Sequence, residues 1–300
     1  MNNMKKVHYH LPGLFEYLEL YEKFFELYSK RREYFYEWAD IASIYGAPED
    51  TLWSGGRTGF GRDDLGSTLN LLEEYKISGR LTFSSSKITE EDLSDMKCNS
   101  LCTAFDKTTV PSGIIVYSEL LLKYLESKYP GFYFVSSTTK VLDNFDDFKK
   151  ELAREEFDYV VPDFRLNKDF DNLFKLSQAE KDKCEFLVNE CCDVACKVRK
   201  KCYENVSLKN KGEDVSDFKC TGKDLKEGYR FSLAKTNPMF ISKEDILNIY
   251  LPNGFTNFKI EGRGLGSALI LEFLLYYLVK PDYQLNVREE IYLDNMLDLF

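Results

Sequence analysis

The chain has 300 residues, of which 44% are hydrophobic and 30% charged, enough apolar content to bury a large core. Its formal net charge of −10 argues against a nucleic-acid partner, because neutralising backbone phosphates needs a cationic face. No stretch reaches the ~18 consecutive apolar residues that span a bilayer, and no leader-like apolar run follows Lys5 and Lys6. A cytoplasmic protein without a membrane partner is expected, and there the 8 cysteines are thiols or metal ligands rather than disulfides.

Along the chain, short β-branched or aromatic runs alternate with helical patterns. Residues 6–10 read as a first strand, carrying His8 and His10, the only histidines, and 13–36 as a helix with apolar spacing of three and four. A second strand, 41–45, leads to the loop Trp53-Ser-Gly-Gly-Arg57, whose glycines allow a backbone to approach a ligand and which offers Arg57 as a contact. Strands follow at 80–84 and 113–117, then a helix over 118–129 that stops at Pro130-Gly131. The fifth strand, 132–136, runs into the hydroxyls Ser136 to Thr139, expected to cap a helix rather than to react. A helix over 142–157 precedes the sixth strand, 158–161, which is followed by Asp163 and Arg165. After a helical stretch at 168–181, the seventh strand, 185–188, ends at Asn189 and Glu190. Ser242 to Asp245 spells a capping box for a helix over 242–251, the eighth strand is 257–260, and 264–278 closes the pattern as a buried helix.

Eight parallel-type strands alternating with helices predict an α/β fold, and the absence of a Gly-rich phosphate turn after the first strand favours a single-domain (β/α)8 TIM-like barrel over 1–300. Function in such barrels sits at the strand C-termini. Candidates there are His10, Gly46, Ser85, Ser118, Ser137, Asp163, Asn189, Glu190, Glu261 and Arg263. Lys259, Glu261 and Arg263 alternate along the last strand end, so one side of it would either hold an anionic substrate group or orient a cluster ligand, or form a buried structural ion network at the barrel rim.

Cys184, Cys191, Cys192, Cys196, Cys202 and Cys220 gather within 184–220, all but Cys184 in a charged, cysteine-rich insertion at about 190–225. Thiolates bind soft metals, and four of them suit tetrahedral zinc or an iron–sulfur cluster. Cys192 and Cys196 share a face if the segment is helical, and Cys191 can substitute for its neighbour. The spacing is not that of a CxxC…CxxC zinc site, which favours a 4Fe-4S cluster over zinc. Reduced packing cysteines are the alternative, and for Cys98 and Cys102, at i and i+4, a remote ligand and a packing role stand equally open.

The run Glu185-Phe-Leu-Val-Asn-Glu190 leading into cysteines, with Phe258-Lys-Ile-Glu-Gly-Arg263 further on, resembles the collagenase-like U32 peptidase family over roughly residues 130–265. The resemblance implies a barrel-like α/β fold. It also points to relatives that are iron–sulfur proteins supporting oxygen-independent hydroxylation of ubiquinone precursors, ribosomal RNA or transfer RNA. It carries over Cys192 and Cys196 as cluster ligands, with Cys202 and Cys220 at approximate ligand positions. Asn189-Glu190 stands where the family usually has His-Gly, and Cys191-Cys192 where it has small residues, which counts against shared peptidase chemistry.

The expectation is therefore an iron–sulfur barrel protein supporting hydroxylation or other redox chemistry on a small-molecule or protein substrate. Two rivals stand beside it: a metal-assisted peptidase or hydrolase, and a non-enzymatic barrel with structural zinc. A Ser–His–Asp hydrolase is unsupported, since no Gly-x-Ser-x-Gly elbow is present. The helix over 264–279 and the polar tail after it would either cover the barrel base or form an interface with a partner subunit or a second copy.

Overall fold

The computed structural model describes residues 5–56, 64–220, 229–262 and 264–297. Eight parallel strands form one sheet: β1 (Val7–Pro12), β2 (Ala39–Gly46), β3 (Ser78–Phe83), β4 (Gly113–Val116), β5 (Tyr133–Ser136), β6 (Tyr159–Val160), β7 (Glu185–Leu187) and β8 (Asn257–Lys259). They are ordered β6-β5-β4-β3-β2-β1-β8-β7. A parallel bridge between Val160 and Cys184 joins the two edges, so the sheet closes into a (β/α)8 barrel, as the alternation predicts.

The described helices on the outside are α1 (Leu18–Lys30), α2 (Leu65–Tyr75), α3 (Met96–Phe105), α4 (Glu119–Lys128), α5 (Phe145–Leu152), α6 (Phe170–Leu173), α7 (Gln178–Lys183), α8 (Arg199–Asn210), α9 (Phe231–Ala234), α10 (Lys243–Asp245), α11 (Ser267–Leu278) and α12 (Gln284–Leu297). Several start on the side chains the sequence offers. Ser118 accepts from Leu121 N at the head of α4, and Ser242 with Asp245 forms the expected capping box. Where one helix is expected over 168–181, two short ones form, α6 and α7, with a separate capping box at Ser177 and Glu180.

The chain has two apolar regions. The larger lies between sheet and helices and includes Tyr9, Phe24, Leu81, Phe105, Phe186 and Phe258. The smaller joins Tyr45, Ile115, Val135, Val161 and Leu187, side chains from β2, β4, β5, the end of β6 and β7, which can meet only inside the barrel. Pleat parity follows: in β3, Ser78, Arg80 and Thr82 share the inner face, and in β7 Glu185 and Leu187 do. The interior is thus layered, with an ionic layer around Arg80 and Glu185 and the small apolar cluster beside it.

Candidate functional site

The ionic layer is built by strands on opposite sides of the barrel. Glu185 Oε2 accepts from Arg80 Nη1 at 2.5 Å, and Glu185 Oε1 accepts from Lys259 Nζ at 3.0 Å. His10 Nε2 stands 3.5 Å from Glu185 Oε2, while its Nδ1 is 2.8 Å from Ser43 Oγ. Arg80 Nε donates to Tyr133 Oη at 2.8 Å and its guanidinium lies over the Tyr159 ring. Burial alone would push the Glu185 carboxyl up, but Arg80, His10 and Lys259 outweigh it and hold the group well below the usual carboxylate range. Burial, then the Arg80 charge, drive His10 the other way, so its imidazole is neutral at neutral pH.

A small cavity of about 50 Å³ opens at the C-terminal end of the barrel. Tyr45, Thr82 and Lys259 reach it from the strands, Ser84 and Thr138 from the ends of β3 and β5, and Glu190, Tyr203 and Glu261 from the other side. The Lys259 ammonium rests 3.9 Å from the Tyr45 ring centroid.

The seventh strand end turns into this rim through a dense set of hydrogen bonds. Asn189 and Glu261 exchange two bonds, Asn189 Nδ2 to Glu261 O at 2.9 Å and Glu261 N to Asn189 Oδ1 at 2.7 Å, which ties the segments after β7 and β8 together. Glu190 Oε1 accepts from the backbone N–H groups of Cys191 and Cys192, both at 3.0 Å, while its Oε2 pairs with Arg199 Nη2. Arg199 also stands 3.4 Å from Asp163 Oδ2, and Asp163 Oδ1 accepts from Arg165 Nε at 2.6 Å. Arg165 Nη1 then donates to Cys196 O at 3.2 Å. Asp163, Arg165, Glu190 and Arg199 therefore form one chain of charges that clamps the cysteine loop to the sixth strand end. Despite the cost of burying it, Arg199 is held firmly protonated, chiefly by Glu190.

Cys191 Sγ lies 3.6 Å from Glu190 Oε1 and 3.8 Å from Glu261 Oε1. Among the described residues, Glu190, Cys191 and Cys192 are the only set of three or more potential ligands whose donor atoms all lie within 4.8 Å of one another. The expectation that Cys192 and Cys196 share a helix face is not met: residues 191–198 form turns, and α8 begins at Arg199. The Glu190 carboxylate takes the N–H groups of Cys191 and Cys192, and Asp193 accepts from Ala195 N, which holds the segment in turns instead of a helix. Cys202 lies in the first turn of α8, and Cys220 is exposed on the stretch after it. Cys98, Cys102 and Cys184 are buried packing thiols.

Of the expected substrate contacts, Lys259, Glu261 and Glu190 come together at the cavity, while Asp163 and Arg165 serve the clamp. Arg57 and Arg263 lie outside the described residues. Gly55, in the loop whose glycines would allow a ligand to approach, admits the protein's own backbone: a Cβ there would stand 2.3 Å from Ser84 O. Sequence reasoning missed Arg80, Glu185, Arg199 and Tyr203. The available signals were single charges inside otherwise apolar strands, and the i, i+4, i+8 spacing of Arg199, Tyr203 and Ser207, all buried on one face of α8.

The site and fold define a closed (β/α)8 barrel with a charged, cysteine-bearing C-terminal mouth. No protein-family model matches the chain, and no curated protein does. Among solved structures the chain is similar in fold to that of the U32 peptidase Mk0906, with a TM-score of 0.54 over 88% of this chain and 95% of that one, at 13% sequence identity. The resemblance noted in the sequence thus extends to the architecture. No described helix is long and apolar enough to cross a membrane.

Proposed function

We propose that this chain is a metal-centred barrel enzyme whose centre is built on Cys191 and Cys192 at the barrel mouth. The observation that carries the reading is the convergence of two thiols and the Glu190 carboxylate within 4.8 Å beside the cavity. Thiols in a compact group with a carboxylate suit a single borderline-soft ion such as zinc, with Glu261 as the nearest additional oxygen donor. Such an ion supplies a Lewis acid and an acidified water, which is hydrolytic chemistry, in keeping with the peptidase name of the structurally similar protein. The chain's own part is to hold the loop through Arg199 and Asp163, to narrow the cavity with Tyr45 and Tyr203, and to set the Lys259 ammonium beside the reacting group.

A second reading keeps the 4Fe-4S cluster and its redox or hydroxylation chemistry. It is favoured by the position of Cys196, whose backbone is bound to the same clamp through Arg165. A cluster needs four thiolates, so Cys196 and one of Cys202 or Cys220 would have to join Cys191 and Cys192. Metal analysis with a visible spectrum on protein purified without oxygen separates the two. About one zinc without colour supports the single ion; about four irons with equal sulfide and brown absorption support the cluster. Metal-free protein that neither metal can reload ends both.

A further inference from the structure

We propose that the cavity beside the cysteine pair is an oxyanion subsite, where Lys259, Ser84 and Thr138 receive a carboxylate-sized group of the ligand. The inference goes beyond the metal reading and does not need it. At about 50 Å³ the cavity holds roughly three or four waters, the room a carboxylate or phosphate takes, and far less than a whole peptide requires.

Its walls differ in character. Ser84 and Thr138 line it from the β3 and β5 ends, and both hydroxyls are buried without a hydrogen-bond partner in the protein. Buried hydroxyls are normally satisfied, so such a pair beside a cavity marks bonds left for a ligand. Lys259 adds an ammonium donor. The Glu185 carboxylate that holds its ammonium at 3.0 Å also holds Arg80 at 2.5 Å. A ligand anion above Lys259 would lie against this ammonium and within reach of both hydroxyls.

The acidic wall is turned elsewhere. The Glu190 carboxylate faces Arg199 and the N–H groups of Cys191 and Cys192, and Glu261 Oε2 accepts from Cys191 N at 3.2 Å. Both carboxylates also line the cavity, but these bonds engage them on the cysteine-loop side, while the hydroxyls and the ammonium lie on the strand side. A ligand would place its oxyanion against the strands and its remaining part toward the cysteines.

The test is calorimetric titration of the full chain, stripped of metal by a chelator, with acetate and separately with inorganic phosphate. Saturable binding of one probe is expected, weakened about tenfold by Ser84→Ala and by Thr138→Val, since each removes a hydrogen bond to a charged group. Tighter acetate binding identifies a carboxylate ligand and tighter phosphate binding a phosphate. The same binding is expected in the Cys191→Ser/Cys192→Ser double variant, which separates this subsite from the metal centre. No saturable binding of either probe, or affinities unchanged in both hydroxyl variants, would overturn the proposal.

Discussion

Arg80 and Glu185 form a fully buried ion pair at 2.5 Å although their strands, β3 and β7, are not neighbours in the sheet. The pair therefore crosses the barrel interior, and it holds the two sides of the cylinder to one another as well as to Lys259.

Removing one partner of such a pair leaves the other charge stranded without water. Glu185→Ala is expected to cost about 3–5 kcal/mol in urea unfolding, whereas the double change Arg80→Met/Glu185→Leu should cost much less, because neither charge then remains. Equal losses in the single and double variants would show that packing, and not the ion pair, sets the cost.

The same carboxylate gives stability a pH dependence of defined sign. Its folded-state pKa is depressed by Arg80, His10 and Lys259 against the opposing effect of burial. Its contribution is thus fully present above the unfolded-state value of about 4.3 and is lost as pH falls below that toward the folded value. The stability difference between wild type and Glu185→Gln should be constant from about pH 6 to 7 and shrink below about pH 4. A difference that stays flat to pH 3 would contradict the assignment.

Arg199 is the keystone of the cysteine loop, 2% exposed and shared by Glu190 and Asp163. Arg199→Met keeps much of the side-chain volume over the Phe164 and Tyr203 rings but strips the buried Glu190 carboxylate of its cation and leaves Asp163 to Arg165 alone. We expect a loss of about 3–5 kcal/mol in stability and, in protein that remains folded at low temperature, weaker metal retention against a competing chelator. Unchanged retention would mean that the loop is positioned without the clamp.

Thiol chemistry should divide the cysteines into classes. Burial raises Cys98 and Cys184 strongly and pushes the Cys102 thiol up to about 12. In native protein at pH 8, iodoacetamide followed by peptide mass analysis should label the exposed Cys220 first and spare these three until the chain unfolds. Labelling of Cys184 at the rate of Cys220 would contradict its place in the core.

The barrel was legible because its strands are short, mostly apolar runs separated by clear turn and cap signals; all eight lie where the pattern places them. The site was legible only in part. Glu190, Lys259 and Glu261 follow from the rule that barrel chemistry gathers at strand C-termini, but the ionic layer beneath them arises from pairings between distant strands, such as Arg80 with Glu185, that no local pattern encodes. Helix α8 escaped for a related reason. It docks by Arg199, Tyr203 and Ser207, a polar stripe, so hydrophobic periodicity is silent over it. Helices α2 and α3 escaped because Gly66, Ser67, Thr68 and then Asn99, Ser100 and Thr103 dilute their propensity, which packing against the sheet overrides.

Gly55 shows how one residue can bear on the cavity without touching a ligand. Its loop is pinned to the β3 end by the bond from Ser85 N to Trp53 O at 3.0 Å. An added Cβ would meet Ser84 O at 2.3 Å and Ser85 Cα at 2.4 Å, backbone atoms that cannot swing aside. Gly55→Ala should therefore cost about 1–3 kcal/mol by overpacking and, by displacing Ser84, weaken oxyanion binding along with it. Gly66→Ala is the contrasting control: it lies in α2, where the nearest atom to a new Cβ is Asp64 Oδ1 at 3.7 Å, so stability should rise by up to about 1 kcal/mol. Thermal unfolding of the two variants reads both effects, and a Gly55→Ala protein as stable as wild type would show that the loop can withdraw from β3 without penalty.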